Sequence, residues 1–179
     1  MNTFQLNSAL SEFNQNSLNK HTVGVLAANK LPISKMSRPS AIIANTDEGH
    51  LPGTHWISFY LPEQGPVEYF DSYGLQPFSP HHIRFLEKNK PWIFSNKELQ
   101  DQYSNVCGMY SLLFLCTRMK GHTLQQFLNP FTKHSLLNDN IIALAYRKSV
   151  GNVTHITQHG NGQSCCSKYR ACRGQHVCE

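Results

Sequence analysis

The segment Cys107 to Lys120, CGMYSLLFLCTRMK, constrains the fold more than any other part of the chain, because its fourteen residues are apolar almost throughout. It is much longer than a typical strand of about 5–6 residues. It is also shorter than the roughly 20 residues needed to cross a bilayer. A helix that is apolar on all sides must be covered by other elements. The segment therefore predicts a buried central helix beginning at Cys107 and stopped by Gly121. A chain of 179 residues with 40% hydrophobic content can build one core around it, and is too short for two typical domains.

The flanking sequence supplies a sheet. Ala41 to Asn45 is a short apolar run suited to a buried strand, and His55 to Tyr60 (HWISFY) is rich in the aromatic and branched residues that strands favour. Pro62, Gly65 and Pro66 break that strand, and Val67 to Asp71 (VEYFD) returns, with Ser72-Tyr73-Gly74 closing it. Two strands with so short a link form an antiparallel hairpin. Pro91 to Ser95 is a further strand. Leu6, Leu10 and Phe13 at helical spacing predict an amphipathic helix over 3–18. Ser79-Pro80 reads as the capped start of a helix reaching Asn89, with Ile83 and Leu86 inward. Asn138 reads as the cap of a last helix through Ser149, whose apolar face includes Ile141, Ile142 and Leu144. Residues 1–150 are thus expected to form one domain of strands and helices around the buried helix. Residues 151–179 form a Cys-rich basic tail.

The hairpin brings chemistry together. A turn centred on Glu63 sets His55 directly opposite Asp71, on one sheet face with Cβ atoms about 4.5–5.5 Å apart. A carboxylate there accepts a hydrogen bond from the imidazole and fixes its tautomer. Alternation puts the other acid of the strand, Glu68, on the opposite face. Cys107 opens the buried helix, where the dipole and unpaired N–H groups favour a thiolate. Gly108 leaves room for close approach, and Cys116, nine residues on within the apolar segment, reads as inert core. The segment Leu99 to Val106 offers side-chain amides able to stabilise an oxyanion.

Cysteine usage and charge set the context. None of the six cysteines precedes Cys107, and four of them (Cys165, Cys166, Cys172 and Cys178) crowd the tail. A secreted disulfide scaffold would spread them through the fold. The amino terminus lacks the basic start and apolar block of a secretory signal. Both features lead us to expect a soluble protein made in the cytosol or nucleus. A net charge of +5 permits contact with nucleic acid without indicating it. In the tail, the cysteines with His159 and His176 are of zinc-ligand type, but their spacing fits no zinc motif, and no metal is expected.

Gly53-Thr54-His55-Trp56, Tyr69-Phe70-Asp71-Ser72-Tyr73-Gly74, and Gln100 followed by Cys107-Gly108-Met109-Tyr110 together resemble the adenain-like cysteine proteases. These are the maturation proteases of adenoviruses and their relatives in large DNA viruses and self-synthesising transposons. They share a clan with the proteases of ubiquitin-like modifiers. The resemblance runs from about Val23 through Val150. It implies an α+β fold, a mixed central sheet packed on the buried helix with flanking helices, in agreement with the strands and helices above. In the site it implies His55 as general base, Asp71 as orienting acid and Cys107 as nucleophile. Gln100 is then the oxyanion glutamine, with Gln102 the fallback, and Trp56 packs beside the histidine. It also implies a monomeric endopeptidase acting on viral precursor proteins in the host nucleus and virion. Such an enzyme needs no cofactor for its chemistry, though DNA or a peptide activates it. Two rival readings remain at this stage: a modifier-deconjugating protease using the same residues, and a DNA-binding or virion protein with a degenerate protease fold.

Overall fold

In the computed structural model, the described residues are 1–150. Five strands form one mixed sheet in sequential order: β1 (Thr22–Leu26), β2 (Ser40–Asn45), β3 (Trp56–Leu61), β4 (Val67–Phe70) and β5 (Trp92–Phe94). The outer pairs β1–β2 and β4–β5 are parallel, and β2–β3 and β3–β4 are antiparallel. The helices are α1 (Thr3–Asn16), α2 (Pro80–Lys88), α3 (Cys107–Met119), α4 (Leu124–Leu128) and α5 (Ser135–Val150). An α+β fold with a mixed sheet is thus borne out.

Period-two alternation divides the core into two clusters, one on each sheet face. Ala41, Ile43, Trp56, Tyr60 and Phe70 face α1, α3, α4 and α5. Ile42, Ala44, Ile57, Phe59, Val67 and Tyr69 face Phe85 and Leu86 of α2. Because sheet and helices both cover it, α3 is the central helix that its all-round apolarity requires, with ten of its residues buried. Phe114 of α3 stacks on Phe70 at 4.7 Å, and Phe127 of α4 meets both rings edge-on.

Two polar links seat α3 on the sheet. Toward its C-terminal end, Arg118 donates to both carboxylate oxygens of Glu68 at 2.6 and 2.9 Å and lies 4.7 Å from the centroid of the Tyr60 ring. Near its start, the Ser111 hydroxyl donates to the Trp56 carbonyl at 3.1 Å, and the Ser58 hydroxyl donates to the Ser111 carbonyl at 3.2 Å. The helix is therefore fixed in register against β3 and β4 at both ends.

Several local expectations need correction. Ile83 is 44% exposed, and α2 instead buries His82, Phe85 and Leu86. The helix lies with its 82–85–86 edge on Phe59, which turns position 83 outward. Ser79 does stand at the start of α2, but only its carbonyl acts there, accepting from the Ile83 N–H, and its hydroxyl makes no cap bond. Asn138 is not a cap: α5 begins at Ser135, and the Asn138 side chain is buried, bonded to Thr132 and to the Leu99 carbonyl. Leu144 is 56% exposed, whereas Ile142 is buried. The short α4, closed by a Thr123–Gln126 capping box, was not anticipated, since LQQFL is too brief to show a period.

Candidate active site

The start of α3 delivers Cys107 to the end of the sheet. Cys107 is its first residue and is 4% exposed, with Val106 before it offering no side-chain cap. The helix N-terminus thus presents backbone N–H groups and positive dipole where the thiol stands. Gly108 packs closely: a Cβ there would lie 3.4 Å from Cδ1 of Trp56 and 3.3 Å from Cβ of Met1, so the neighbours would have to give by a few tenths of an ångström. Since Ser111, one turn on, is bonded to the Trp56 carbonyl, the first turn of α3 rests on the residue that follows His55.

His55 precedes β3 and Asp71 follows β4, so both stand at one end of the sheet. His55 Nε2 and Asp71 Oδ1 are 2.9 Å apart, and neither side chain is exposed. The pairing geometry differs from the expected one. The β3–β4 register pairs Ser58 with Phe70, Phe59 with Tyr69 and Tyr60 with Glu68, which centres the turn on Gln64 rather than Glu63. Continued by one pair, before the chain turns over Asp71–Gly74, that register sets Asp71 opposite Ile57 rather than His55. Asp71 is then its diagonal neighbour on the same face, at a distance that the two side chains span. Tyr73 stacks on the imidazole with centroids 4.8 Å apart and planes inclined by 29°. Its backbone N–H donates to Asp71 Oδ1 at 2.8 Å. Glu68 does face the other way, toward Arg118.

Gln100 is fully buried and tied to the turn that carries Asp71. Its backbone N–H and that of Leu99 both donate to the Ser72 carbonyl, at 3.0 and 2.9 Å. Its Oε1 accepts from the Ser72 hydroxyl at 2.7 Å, and its Nε2 donates to the Tyr73 hydroxyl at 3.2 Å and the Ser104 carbonyl at 3.0 Å. Gln102 is exposed and has no comparable anchoring. From the other side, Asp139 of α5 accepts from the Asp101 N–H at 3.2 Å and the Tyr110 hydroxyl at 3.0 Å, joining the Gln100 segment to the first turn of α3. Burial raises the pKa of that carboxyl, against hydrogen bonds from Ser104, Tyr110 and Asp101.

All four residues singled out in the sequence therefore gather at one end of the sheet. His55 and Asp71 touch directly, Gln100 joins them through Ser72 and Tyr73, and Cys107 joins them through Trp56. Tyr73, Ser72 and Asp139 were missed, and only the aromatic in YFDSYG gave any sign of the first. Cys116 behaves as core: burial pushes its thiol up to about 12, with Lys120 opposing. His82, also fully buried, approaches the Asn45 carbonyl with Nε2 at 3.0 Å. Burial holds its pKa down to about 4, with the Asn45 bond opposing. Among the described residues no group of three or more His, Cys, Asp or Glu is arranged to hold a metal, and no helix is long and apolar enough to cross a membrane. The Cys-rich tail of 151–179 lies outside the described residues.

No family model matches the sequence. A cysteine protease of African swine fever virus is 28% identical over 100 residues, an alignment spanning 49% of this chain and 36% of that protein. The chain thus aligns with little more than a third of that relative's length. The crystal structure of the African swine fever virus protease superposes with a TM-score of 0.56 at 17% identity, covering 77% of this chain and 63% of that one. The fold is therefore that of the viral protease. The likeness to viral cysteine proteases seen in the sequence motifs is borne out: the chain is a distant homologue of the cysteine protease of African swine fever virus.

Proposed function

We propose that the chain is a cysteine endopeptidase in which Cys107 attacks the scissile carbonyl and His55 moves the protons. The observation that carries this reading is the wholly buried His55–Asp71 bond of 2.9 Å, set where α3 begins with a cysteine. Asp71 engages Nε2, so Nδ1 is the nitrogen that takes the thiol proton. The thiolate adds to the carbonyl carbon, and the developing oxyanion is met by the N–H groups at the start of α3 and by the Gln100 N–H that exchanges the Ser104 carbonyl for it, the other N–H staying on Tyr73. Collapse breaks the C–N bond as His55 returns its proton to the leaving amine, and a thioester remains. Water, deprotonated by the same imidazole, then hydrolyses it. Asp71 keeps the tautomer and steadies the imidazolium throughout.

On this reading the substrates are precursor proteins of a virus or mobile element, as the relative's viral origin suggests, and DNA or a peptide serves as activator. The test is cleavage of a panel of Gly-containing peptides and of unfolded protein substrates by the full chain and by Cys107→Ala, with and without added DNA. Cleavage by the wild type that vanishes in the variant, with both equally folded, is the expected result. Equal cleavage by the two proteins would sink the assignment.

A further inference from the structure

Tyr73 contacts three of the four residues assigned above, each through a different group. Its ring lies on the His55 imidazole at 4.8 Å, its backbone N–H reaches Asp71 Oδ1 at 2.8 Å, and its hydroxyl accepts from Gln100 Nε2 at 3.2 Å. Asp71 Oδ1 is also the oxygen that engages His55 Nε2. One residue therefore braces both members of the acid–base pair and the amide beside them.

The turn that holds Tyr73 is itself locked. Gly74 follows at φ +69°, and a Cβ on it would come within 2.8 Å of the Asn96 and Lys97 backbone. Its N–H closes the turn on the Asp71 carbonyl at 2.9 Å. The ring is only 7% exposed. A residue that merely fills space needs burial alone. The stacking on the base and the hydroxyl on the amide are contacts a space-filler has no reason to make.

We propose that Tyr73 is a positioning residue with two separable roles. The ring holds the His55 imidazole in the plane from which it takes the Cys107 proton, and the hydroxyl anchors one N–H of the Gln100 amide so that the other, which rests on the Ser104 carbonyl, turns to the oxyanion. The inference rests on the Cys107–His55 reading.

Two reagents separate the roles. Iodoacetamide alkylates a thiolate by displacing iodide at a saturated carbon, so its rate reports the Cys–His pair with no oxyanion formed. p-Nitrophenyl acetate acylates the same sulfur through a tetrahedral oxyanion and releases p-nitrophenolate, so its rate reports both. Each is measured at Cys107 by peptide mapping, from pH 5 to 9, and corrected with Cys107→Ala. Tyr73→Phe keeps the ring: alkylation is expected to stay within about twofold of wild type while acylation falls roughly tenfold, a fraction of what losing an oxyanion donor costs. Tyr73→Leu removes the ring: alkylation at neutral pH is expected to fall roughly tenfold or more, with its pH profile moving toward that of an ordinary thiol. A pH profile of alkylation that moves in Tyr73→Leu but not in Tyr73→Phe, with the folded state of both verified by circular dichroism, is what a merely structural role would not give.

A Tyr73→Leu protein that alkylates like wild type overturns the ring role. A Tyr73→Phe protein with an unchanged ratio of acylation to alkylation overturns the hydroxyl role, and this arm decides the matter if circular dichroism shows the Leu variant unfolded. If wild-type Cys107 reacts no faster than it does in the denatured chain, the underlying Cys107–His55 reading has failed and the Tyr73 assignment falls with it.

Discussion

Replacing Ser111 by Ala tests how Cys107 is held in register with His55. Ser111 is 1% exposed, and its hydroxyl donates to the Trp56 carbonyl at 3.1 Å. Trp56 lies beyond the paired stretch of β3 and β4, which ends at Ser58 and Phe70. The substitution keeps Cβ and leaves little cavity, so its cost is the buried acceptor deprived of a donor, about 1–2 kcal/mol. For a domain of this size that lowers Tm by about 3–6 °C. Ser58→Ala is the internal comparison: its 3.2 Å bond goes to a carbonyl inside α3 that the helix ladder already serves, so its cost should be nearer 0.5 kcal/mol. Thermal unfolding by circular dichroism reads this difference. The same bond fixes the turn that carries Cys107, so iodoacetamide alkylation of Cys107 at neutral pH should fall by roughly tenfold in Ser111→Ala. A Ser111→Ala protein that melts within about 1 °C of wild type and alkylates at the wild-type rate would refute the idea that this hydroxyl seats the helix.

Two further outcomes follow from buried titratable groups. The pKa of His82 is held down to about 4, against 6.5 in the unfolded chain, so between those values the unfolded state binds the extra proton. Its stabilising share is present above pH 6.5 and is lost as pH falls toward 4, at most about 3 kcal/mol. In denaturant titrations, the stability difference between wild type and His82→Gln should therefore shrink from pH 7 to pH 4.5, and parallel profiles would contradict the burial of this imidazole. The Cys116 thiol, pushed up to about 12 by burial, should remain unalkylated at pH 8 in the native protein while Cys107 is modified, and should react only after denaturation. Modification of both at similar rates, read by peptide mapping, would mean that α3 is not packed against α1 as described.

The parts legible in the sequence are those fixed by short-range rules. An all-apolar segment of helical length leaves one place for α3, and the aromatic and branched runs HWISFY and VEYF leave one for the central strands. What escapes depends on how finished elements meet. Ile83 reads as inward because it is apolar, yet the edge of α2 against Phe59 is set by packing on the sheet, and His82 takes the inner position. Asn138 reads as a cap because Asn often is one. Its side chain is instead used in the interior, donating to the Leu99 and Thr132 carbonyls and accepting from the Thr132 N–H. Asp139, the next residue, is invisible for the same reason: its partners, Asp101 and Tyr110, are 38 and 29 residues away along the chain.

The register of the hairpin shows why the site is more legible than its geometry. Moving the turn centre by one residue, from Glu63 to Gln64, shifts every cross-strand partner by two. A shift of two preserves which residues share a face, whereas a shift of one would send Asp71 to the far side of the sheet from His55. The pairing of base and acid therefore survives the error, and the 2.9 Å bond forms along the diagonal rather than straight across. Directly after Asp71 the chain turns, with the Gly74 N–H on the Asp71 carbonyl, and that turn lays the Tyr73 ring on the imidazole. The hairpin register thus sets the diagonal bond, and the turn from Asp71 to Gly74 sets the stack on His55.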